Sequence, residues 1–127
     1  IDLHQNDLFP KNSGNEEEDG IGKGSGFTIN LPLPAGGRDV DYCQVFEKTV
    51  IPALHRYRPQ LILVSAGFDA HESDPLGMMN LTTQGYKNLA KLIKTAAEQL
   101  CEGRLAFFLE GGYNPFFLAK NVLQCVE

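Results

Sequence analysis

Two short segments carry the side chains best suited to chemistry, and each follows a run of apolar residues. Asp69 lies in the segment 65–71, and Tyr113 lies behind two glycines in the segment 110–114. A carboxylate suits a divalent metal or a polar substrate. A tyrosine, with a reference pKa of about 10, donates a hydrogen bond at neutral pH and can support a developing oxyanion. The residue types alone are also compatible with an aspartate that caps a turn and a tyrosine packed at a rim.

The inventory of metal-binding side chains is small. A zinc site needs three or four protein ligands, and Asp69 is the one convincing candidate. The three histidines are scattered and form no H-E-x-x-H or H-x-x-x-H pair. We expect His55 to be exposed on a helix, whereas His4 and His71 lie near predicted strand ends, where a ligand role is conceivable. Either these residues hold no metal, or most of its ligands lie outside them.

Hydrophobic periodicity predicts the elements that position Asp69 and Tyr113. Residues 27–31 alternate with period two, whereas 61–64 and 105–109 are apolar on both faces, as in parallel strands covered on both sides. Spacings of three and four predict helices over 39–57 and after Leu81, and Pro115 after a possible cap predicts a last helix through Val126. This order of elements predicts an α/β fold with a parallel sheet and right-handed crossovers.

Local signals mark the ends of these helices. The first would begin at Asp39 or Asp41 and bend at Pro52, because proline lacks the N–H that a helix interior needs. The second would be capped by Thr82 and stopped by Gly103, and Asn114 can cap the third. The segment 10–26 has no periodicity and includes the acidic run 16–19, so it is predicted to be a loop.

Composition narrows the class of protein. A chain of 127 residues suits one domain, and 43% hydrophobic with 21% charged residues excludes a disordered tail or a membrane protein. The net charge of −5 argues against binding to nucleic acid. No apolar run approaches the ~20 residues that span a bilayer, and no secretory signal opens the chain. The three cysteines are expected to be ordinary thiols, which favours an intracellular, reducing compartment.

Several motifs follow one another along the chain: Asp2-Leu3-His4-Gln5, Phe9-Pro10, Gly22-x-Gly24, Asn30-Leu31-Pro32-Leu33-Pro34, Leu63 to His71, Asp74-Pro75-Leu76-Gly77 and Glu110-Gly111-Gly112-Tyr113-Asn114. In this order they resemble the zinc-dependent histone deacetylase superfamily. Their residues are most similar to its class II and bacterial branches, which include acetylpolyamine amidohydrolases. The resemblance implies an arginase-like, three-layer α/β/α fold, of which residues 1–127 would form the C-terminal part. It also implies a hydrolase that removes acetyl groups from amines.

The resemblance assigns roles to individual residues. Asp69 matches a zinc ligand, and Tyr113 matches the tyrosine that hydrogen-bonds the substrate carbonyl. Four further residues match positions that line the acyl-lysine tunnel or its floor: Phe9, Leu76, Gly111 and Gly112. Asp2 and Leu3 match a structural potassium site beside the zinc, and Phe27 matches a main-chain ligand of a second potassium site.

Two parts of the family pattern do not occur in these residues. The Asp-x-His motif with the other two zinc ligands and the tandem histidines that act as general base would lie upstream of Asp2. We therefore expect the full-length protein to hydrolyse acetyl-lysine proteins or peptides, or an acetylpolyamine, with Zn²⁺ and K⁺, and the 127-residue chain alone to be inactive. Its oligomeric state stays open.

Two other functions are compatible with the same fold. The first is a non-catalytic, deacetylase-like module for binding or assembly, which defective upstream motifs would indicate. The second is a manganese ureohydrolase, which the sequence disfavours because the segment 69–74 does not contain that family's Asp-x-Asp pairs.

Overall fold

The computed structural model describes all 127 residues. Its four strands are β1 (Asp2–Gln5), β2 (Asn30–Leu33), β3 (Ile62–Ala66) and β4 (Leu105–Leu109). Its four α-helices are α1 (Asp39–Val45), α2 (Ile51–Tyr57), α3 (Thr83–Cys101) and α4 (Pro115–Val126). A π-helical segment (Phe46–Val50) joins α1 to α2, and a short 3₁₀ turn (Gly22–Gly24) interrupts the long loop after β1.

The alternation of parallel strands with helices is confirmed, and the chain has an α/β fold. The strands form two separate parallel pairs, β1 with β2 and β3 with β4, rather than one continuous sheet. β1 was not predicted from the sequence, and β2 begins at Asn30 rather than at Phe27, because Phe27 and Thr28 lie outside the ladder. Pro32 lies within β2 opposite His4, where a strand at the edge of a sheet tolerates the missing N–H.

The helical run 39–57 is continuous but locally widened. Its N-cap is Arg38 rather than Asp39 or Asp41, and the Arg38 N–H donates to the Asp41 carboxylate at 2.8 Å. Pro52 has no N–H to offer the preceding turn, and the turn before it has i→i−5 bonding, as in the Ile51 N–H that donates to the Phe46 carbonyl. The predicted bend at Pro52 is therefore a π-helical segment ahead of the proline.

The long helix α3 forms the centre of the hydrophobic core. Its N-cap Thr82 and its stop at Gly103 are confirmed, with Glu102 and Gly103 both in the left-handed region. It packs against α1, α2 and α4. The apolar residues of α3 form a stripe towards the core, in which Leu100 is only partly buried and the buried members are Tyr86, Leu89, Ala90, Ile93 and Ala97.

The expectation that β3 and β4 are covered on both sides is wrong for this chain. Along β3, Ile62 is buried, whereas Leu63 is 61% exposed. Phe107 and Leu109 of β4 are also exposed. In this chain β3 therefore packs on the core through the face of Ile62, whereas Phe107, Phe108 and Leu109 expose both faces of β4.

The loop between β1 and β2 is held by hydrogen bonds from buried and charged side chains. Asn30 is buried, and its Nδ2 donates to the carbonyls of Asn15 and Glu18 at 3.0 and 3.3 Å. The Glu18 carboxylate accepts from the Asn15 side chain at 2.7 Å and from the backbone N–H groups of Gly14 and Asn15, which lowers its pKa. Glu18, one member of the acidic run 16–19, therefore stabilises the conformation of the loop.

Two further observations concern the cysteines and the length and polarity of the helices. All three cysteines are free thiols. None of the helices is both long and apolar enough to cross a lipid bilayer.

Asp39 and Thr82 connect the starts of α1 and α3. The Asp39 carboxylate accepts from the Thr82 N–H at 2.7 Å and from its hydroxyl at 2.6 Å, and that hydroxyl accepts from the Gly85 N–H. We expect Thr82→Ala to destabilise the folded protein by about 1–2 kcal/mol, since it removes an N-cap and a bond to a charged group. Equilibrium denaturation of the full-length protein measures the effect.

The matched control is Thr95→Ala, the same substitution at an exposed position of the same helix. Thr82→Ser should recover most of the loss, because the hydroxyl is kept. An unfolding midpoint of Thr82→Ala equal to that of the control would show that the cap does not matter.

Candidate functional site

The candidate site lies where β3 and β4 end side by side. The parallel register pairs Ala66 with Leu109, the last residues of the two strands. Beyond them the Glu110 N–H donates to the Ala66 carbonyl at 3.1 Å, and the Phe68 N–H donates to the Gly111 carbonyl at 2.8 Å. The pairing thus continues into both loops, and it carries the segments with Asp69 and Tyr113 to the same edge.

Glycines make room for the Asp69 side chain. A Cβ atom at Gly111 would lie 2.8 Å from Asp69 Cγ, closer than real Cβ atoms approach, and one at Gly67 would lie 3.1 Å from Asp69 Oδ1. A Cβ atom at Gly77 would overlap the Asp69 carbonyl oxygen. Three glycines from two loops therefore let the backbone pass close to this aspartate.

The electrostatic surroundings of Asp69 disfavour its charge. Burial raises the pKa of its carboxyl, the nearby Asp74 carboxylate raises it further, and its own backbone N–H partly opposes both. A divalent cation next to this carboxylate would favour the ionised form. The position is therefore compatible with a metal ligand.

Asp74 ties the two loops together. It is buried, and its Oδ1 accepts from the N–H groups of Leu76 and Gly77 at 2.9 and 3.2 Å. Its Oδ2 accepts from the Tyr113 N–H at 2.8 Å. Next to it, the Ser73 carbonyl accepts from Asn114 Nδ2 at 2.9 Å. The backbone around Tyr113 is thus fixed to the loop that carries Asp69.

The Tyr113 side chain is 54% exposed and lines a cavity of about 980 Å³. The cavity lies between β1 and β3, and its lining is mostly hydrophobic. Asp69, Leu76 and Phe9 line it as well. Asp69 and Tyr113 therefore belong to the lining of one cavity, together with apolar side chains.

His71 lies away from this cavity. It is 2% exposed, and both of its ring nitrogens have partners, the Ser73 N–H at Nδ1 and the Thr83 hydroxyl at Nε2. Burial lowers its pKa, so the ring is neutral at pH 7. The ligand role that the sequence left conceivable for His71 is therefore excluded by its contacts.

The remaining family-matched positions are spread over both strand pairs. Asp2 and Leu3 lie in β1, where the Asp2 carboxylate pairs with His4 Nδ1 at 2.9 Å. Phe9 and Leu76 are exposed, and Phe27 packs edge-on against Tyr57 with ring centroids 6.3 Å apart.

The two glycines that precede Tyr113 have different neighbours. Gly111 faces the Asp69 carboxylate. A Cβ atom at Gly112 would lie 2.9 Å from Leu118 Cδ1 and 3.1 Å from Phe68 Cβ, so this glycine allows α4 to pack closely. Its φ of +137° also favours glycine.

The described residues contain no complete set of metal ligands. They contain no group of three or more histidine, cysteine, aspartate or glutamate side chains that could hold a metal ion. Asp69, with its raised pKa and its place at the cavity, fits one carboxylate of such a set.

Two contributors to the site were not assigned from the sequence. Asp74 accepts three backbone bonds, and the Asp-Pro pair was a usable signal, since an aspartate before a turn accepts from N–H groups two and three residues on. The buried phenol of Tyr86 also lines the cavity, and its hydroxyl has no hydrogen-bond partner. No sequence signal distinguished it from the rest of the α3 stripe.

Comparison with known proteins identifies the family. The whole chain, residues 1–127, matches the histone deacetylase domain. It is 47% identical over 122 residues to "Histone deacetylase 14, chloroplastic" of Arabidopsis thaliana, which covers 96% of the chain and 29% of that protein. It is 42% identical over 128 residues to the "Histone deacetylase-like amidohydrolase" of Pseudomonas aeruginosa, covering 100% of the chain and 33% of that protein. The chain belongs to the histone deacetylase family.

Solved structures agree with this assignment. The HDA15 HD domain superposes with a TM-score of 0.88 at 32% identity, over 98% of this chain and 35% of that one. An acetylpolyamine aminohydrolase from Burkholderia pseudomallei gives a TM-score of 0.86 at 28% identity, over 98% and 35% of the two chains. The fold is therefore that of deacetylases and acetylpolyamine aminohydrolases. The chain spans about a third of the length of the relatives it matches.

The role of Asp74 can be tested without an activity assay. We expect Asp74→Asn to accelerate hydrogen exchange at the Tyr113 amide, or at those of Leu76 and Gly77, by about tenfold or more, since a bond to a charged acceptor contributes roughly 1.5–3 kcal/mol. An asparagine side chain has only one acceptor oxygen, so its NH₂ group would face at least one of these N–H donors, which would lose its hydrogen bond. Exchange measured by mass spectrometry should show this in the full-length protein.

Glu72→Gln is the matched control, because Glu72 is exposed two residues away. Exchange at all three amides that stays at the control level would refute the role of Asp74.

Proposed function

We propose that this chain is part of a zinc-dependent deacetylase that hydrolyses acetylated amines, with Asp69 as a zinc ligand and Tyr113 as a hydrogen-bond donor to the substrate carbonyl. The observation that supports it best is the contact between the Gly111 backbone and the Asp69 carboxylate. Because Tyr113 follows Gly111 by two residues and faces the same cavity, the two side chains can act on one acyl group.

Zinc would be held by Asp69 together with ligands from outside these 127 residues. When bound, zinc supplies a Lewis acid that polarises a carbonyl and lowers the pKa of a bound water. The fit rests on the carboxylate itself, which is partly buried, has a raised pKa and lines the cavity. A bound cation would lower this pKa, because it favours the ionised carboxylate.

Tyr113 would act on the oxygen of the acyl group. Its hydroxyl donates a hydrogen bond that strengthens as negative charge develops on that oxygen, so it stabilises the transition state more than the ground state. The Asp74 carboxylate holds the Tyr113 N–H, which limits how far the phenol can drift. Because this hydrogen bond fixes the Tyr113 backbone, the exposed phenol moves only by rotation of its own side chain.

The substrate would be an acetylated lysine in a protein or peptide, or an acetylpolyamine. Relatives named as histone deacetylases and as an acetylpolyamine aminohydrolase support both classes. Phe9 and Leu76 are exposed apolar side chains at the cavity and would contact the alkyl chain that carries the acetyl group. Gly111 and Gly112 are proposed for the tunnel floor on the family resemblance alone.

Potassium and compartment are further parts of the proposal. Asp2 and Leu3 would contribute to a structural K⁺ site, supported by their place in β1 at the edge of the cavity. We place the protein inside the cell or an organelle, as for the Arabidopsis relative that is named chloroplastic.

Tyr113→Phe tests the catalytic role. We expect kcat of the full-length protein to fall by about 10²–10³, the usual effect of losing one oxyanion donor. Zinc content should not change, because the phenol is not a ligand. Turnover of an acetyl-lysine reporter and metal analysis of the same sample measure both.

Tyr57→Phe is the control, since it removes the hydroxyl of an exposed tyrosine on α2. Near-wild-type turnover of Tyr113→Phe would refute the assigned role.

The 127-residue chain on its own should bind zinc weakly. One carboxylate does not make a zinc site, which needs three or four protein ligands, and these residues hold no group of three candidate ligands. Isothermal titration with Zn²⁺ should give no stoichiometric, submicromolar binding, and an acetyl-lysine reporter should stay intact. Tight one-to-one binding would contradict the ligand assignment.

A further inference from the structure

The hydrogen bonds around His71 fix its tautomer. Nδ1 lies 3.1 Å from the Ser73 N–H, which can only donate, so Nδ1 accepts and carries no proton. The proton of the neutral ring is therefore on Nε2, which donates to Thr83 Oγ1 at 3.3 Å. The Thr83 hydroxyl in turn donates to Asn121 Oδ1 at 2.7 Å. These bonds all run in one direction, from the loop into α3 and α4.

Packing holds the His71 ring in this position. It stacks on Phe117 of α4 with centroids 4.4 Å apart and an interplanar angle of 29°. Asn121, at the end of the chain of hydrogen bonds, is fully buried, with 0% exposure. His71 is thus anchored to two helices.

Ser73 transmits that anchor to the site. Its N–H is held by His71, and its carbonyl accepts from Asn114 Nδ2 at 2.9 Å. Asn114 directly follows Tyr113 and also caps α4. The next residue, Asp74, holds the Tyr113 N–H. A shift of Ser73 would therefore displace Asp74, which holds the Tyr113 N–H, and Asn114, the residue that follows Tyr113.

We propose that His71 is a positioning residue that sets the place of the Tyr113 phenol relative to the Asp69 carboxylate by holding the Ser73 N–H. This inference rests on the proposed function. His71 does not line the cavity, so it acts through Ser73, Asp74 and Asn114 rather than on the substrate.

The first test is His71→Phe in the full-length protein. Phenylalanine keeps an aromatic ring against Phe117 but removes both hydrogen bonds. We expect kcat to fall on the order of 10- to 100-fold, the scale of a small misplacement of a catalytic group, with KM changed less than about twofold. His55→Phe, at an exposed position of α2, is the control.

Two substitutions of His71 by residues with a side-chain amide separate an effect on positioning from an effect on stability. Asn at position 71 can accept from the N–H two residues on, as in an Asx-turn, and so replaces Nδ1. Gln at this position reaches towards Thr83 and replaces Nε2. Both lose the stacking on Phe117. We expect His71→Asn to retain more kcat than His71→Gln, together with slower exchange of the Ser73 amide, even where their thermal midpoints are equal. The reverse order would overturn the inference.

A double-mutant cycle with Tyr113→Phe tests the link directly. If His71 acts through Tyr113, then His71→Phe should lower kcat much less in the Tyr113→Phe background than in the wild type. Equal losses in both backgrounds would overturn the positioning role and leave the proposed function intact. A Tyr113→Phe enzyme with wild-type turnover would instead overturn the proposed function. Should His71→Phe fail to fold, the Asn and Gln variants decide the question in the same cycle.

Discussion

The carboxylate of Asp74 is the contact on which the geometry of the candidate site depends. Parallel pairing of β3 with β4 brings their loops to one edge of the sheet, but strand pairing alone does not fix loops beyond the strand ends. Asp74 does so by accepting three backbone N–H groups, two from its own turn and one from Tyr113. Because the acceptor is charged and buried, each of these bonds is stronger than a neutral one. Loss of this carboxylate would remove the acceptor from all three N–H groups.

Around this anchor the site combines close backbone packing with unfavourable electrostatics. Glycines at 67 and 111 let the backbone approach the Asp69 carboxylate, and Gly77 lets it approach the Asp69 carbonyl oxygen. Burial and the neighbouring Asp74 charge raise the Asp69 pKa. Such a carboxylate gains more from a cation than an exposed one would, since the cation offsets both effects. This is the physical basis on which Asp69 is proposed as a zinc ligand.

The elements with local signals were predictable from the sequence. Thr82 and Asn114 cap their helices through their own side chains, so the starts of α3 and α4 were predicted correctly. The strand β1 has only four residues and no apolar alternation, and its conformation depends on pairing with a distant segment. Asp69 and Tyr113 were singled out because each follows glycine after an apolar run. The contacts of His71 depend on helices that pack from elsewhere, and no pattern around residue 71 reveals them.

The most direct test of the Asp69 assignment is the location of zinc by anomalous scattering in crystals of the full-length protein. We expect one strong zinc peak with an Asp69 carboxylate oxygen about 2.0–2.2 Å away, and the Tyr113 hydroxyl facing the same peak across the cavity. A zinc peak bound by other residues, with the Asp69 carboxylate turned away from it, would contradict the account.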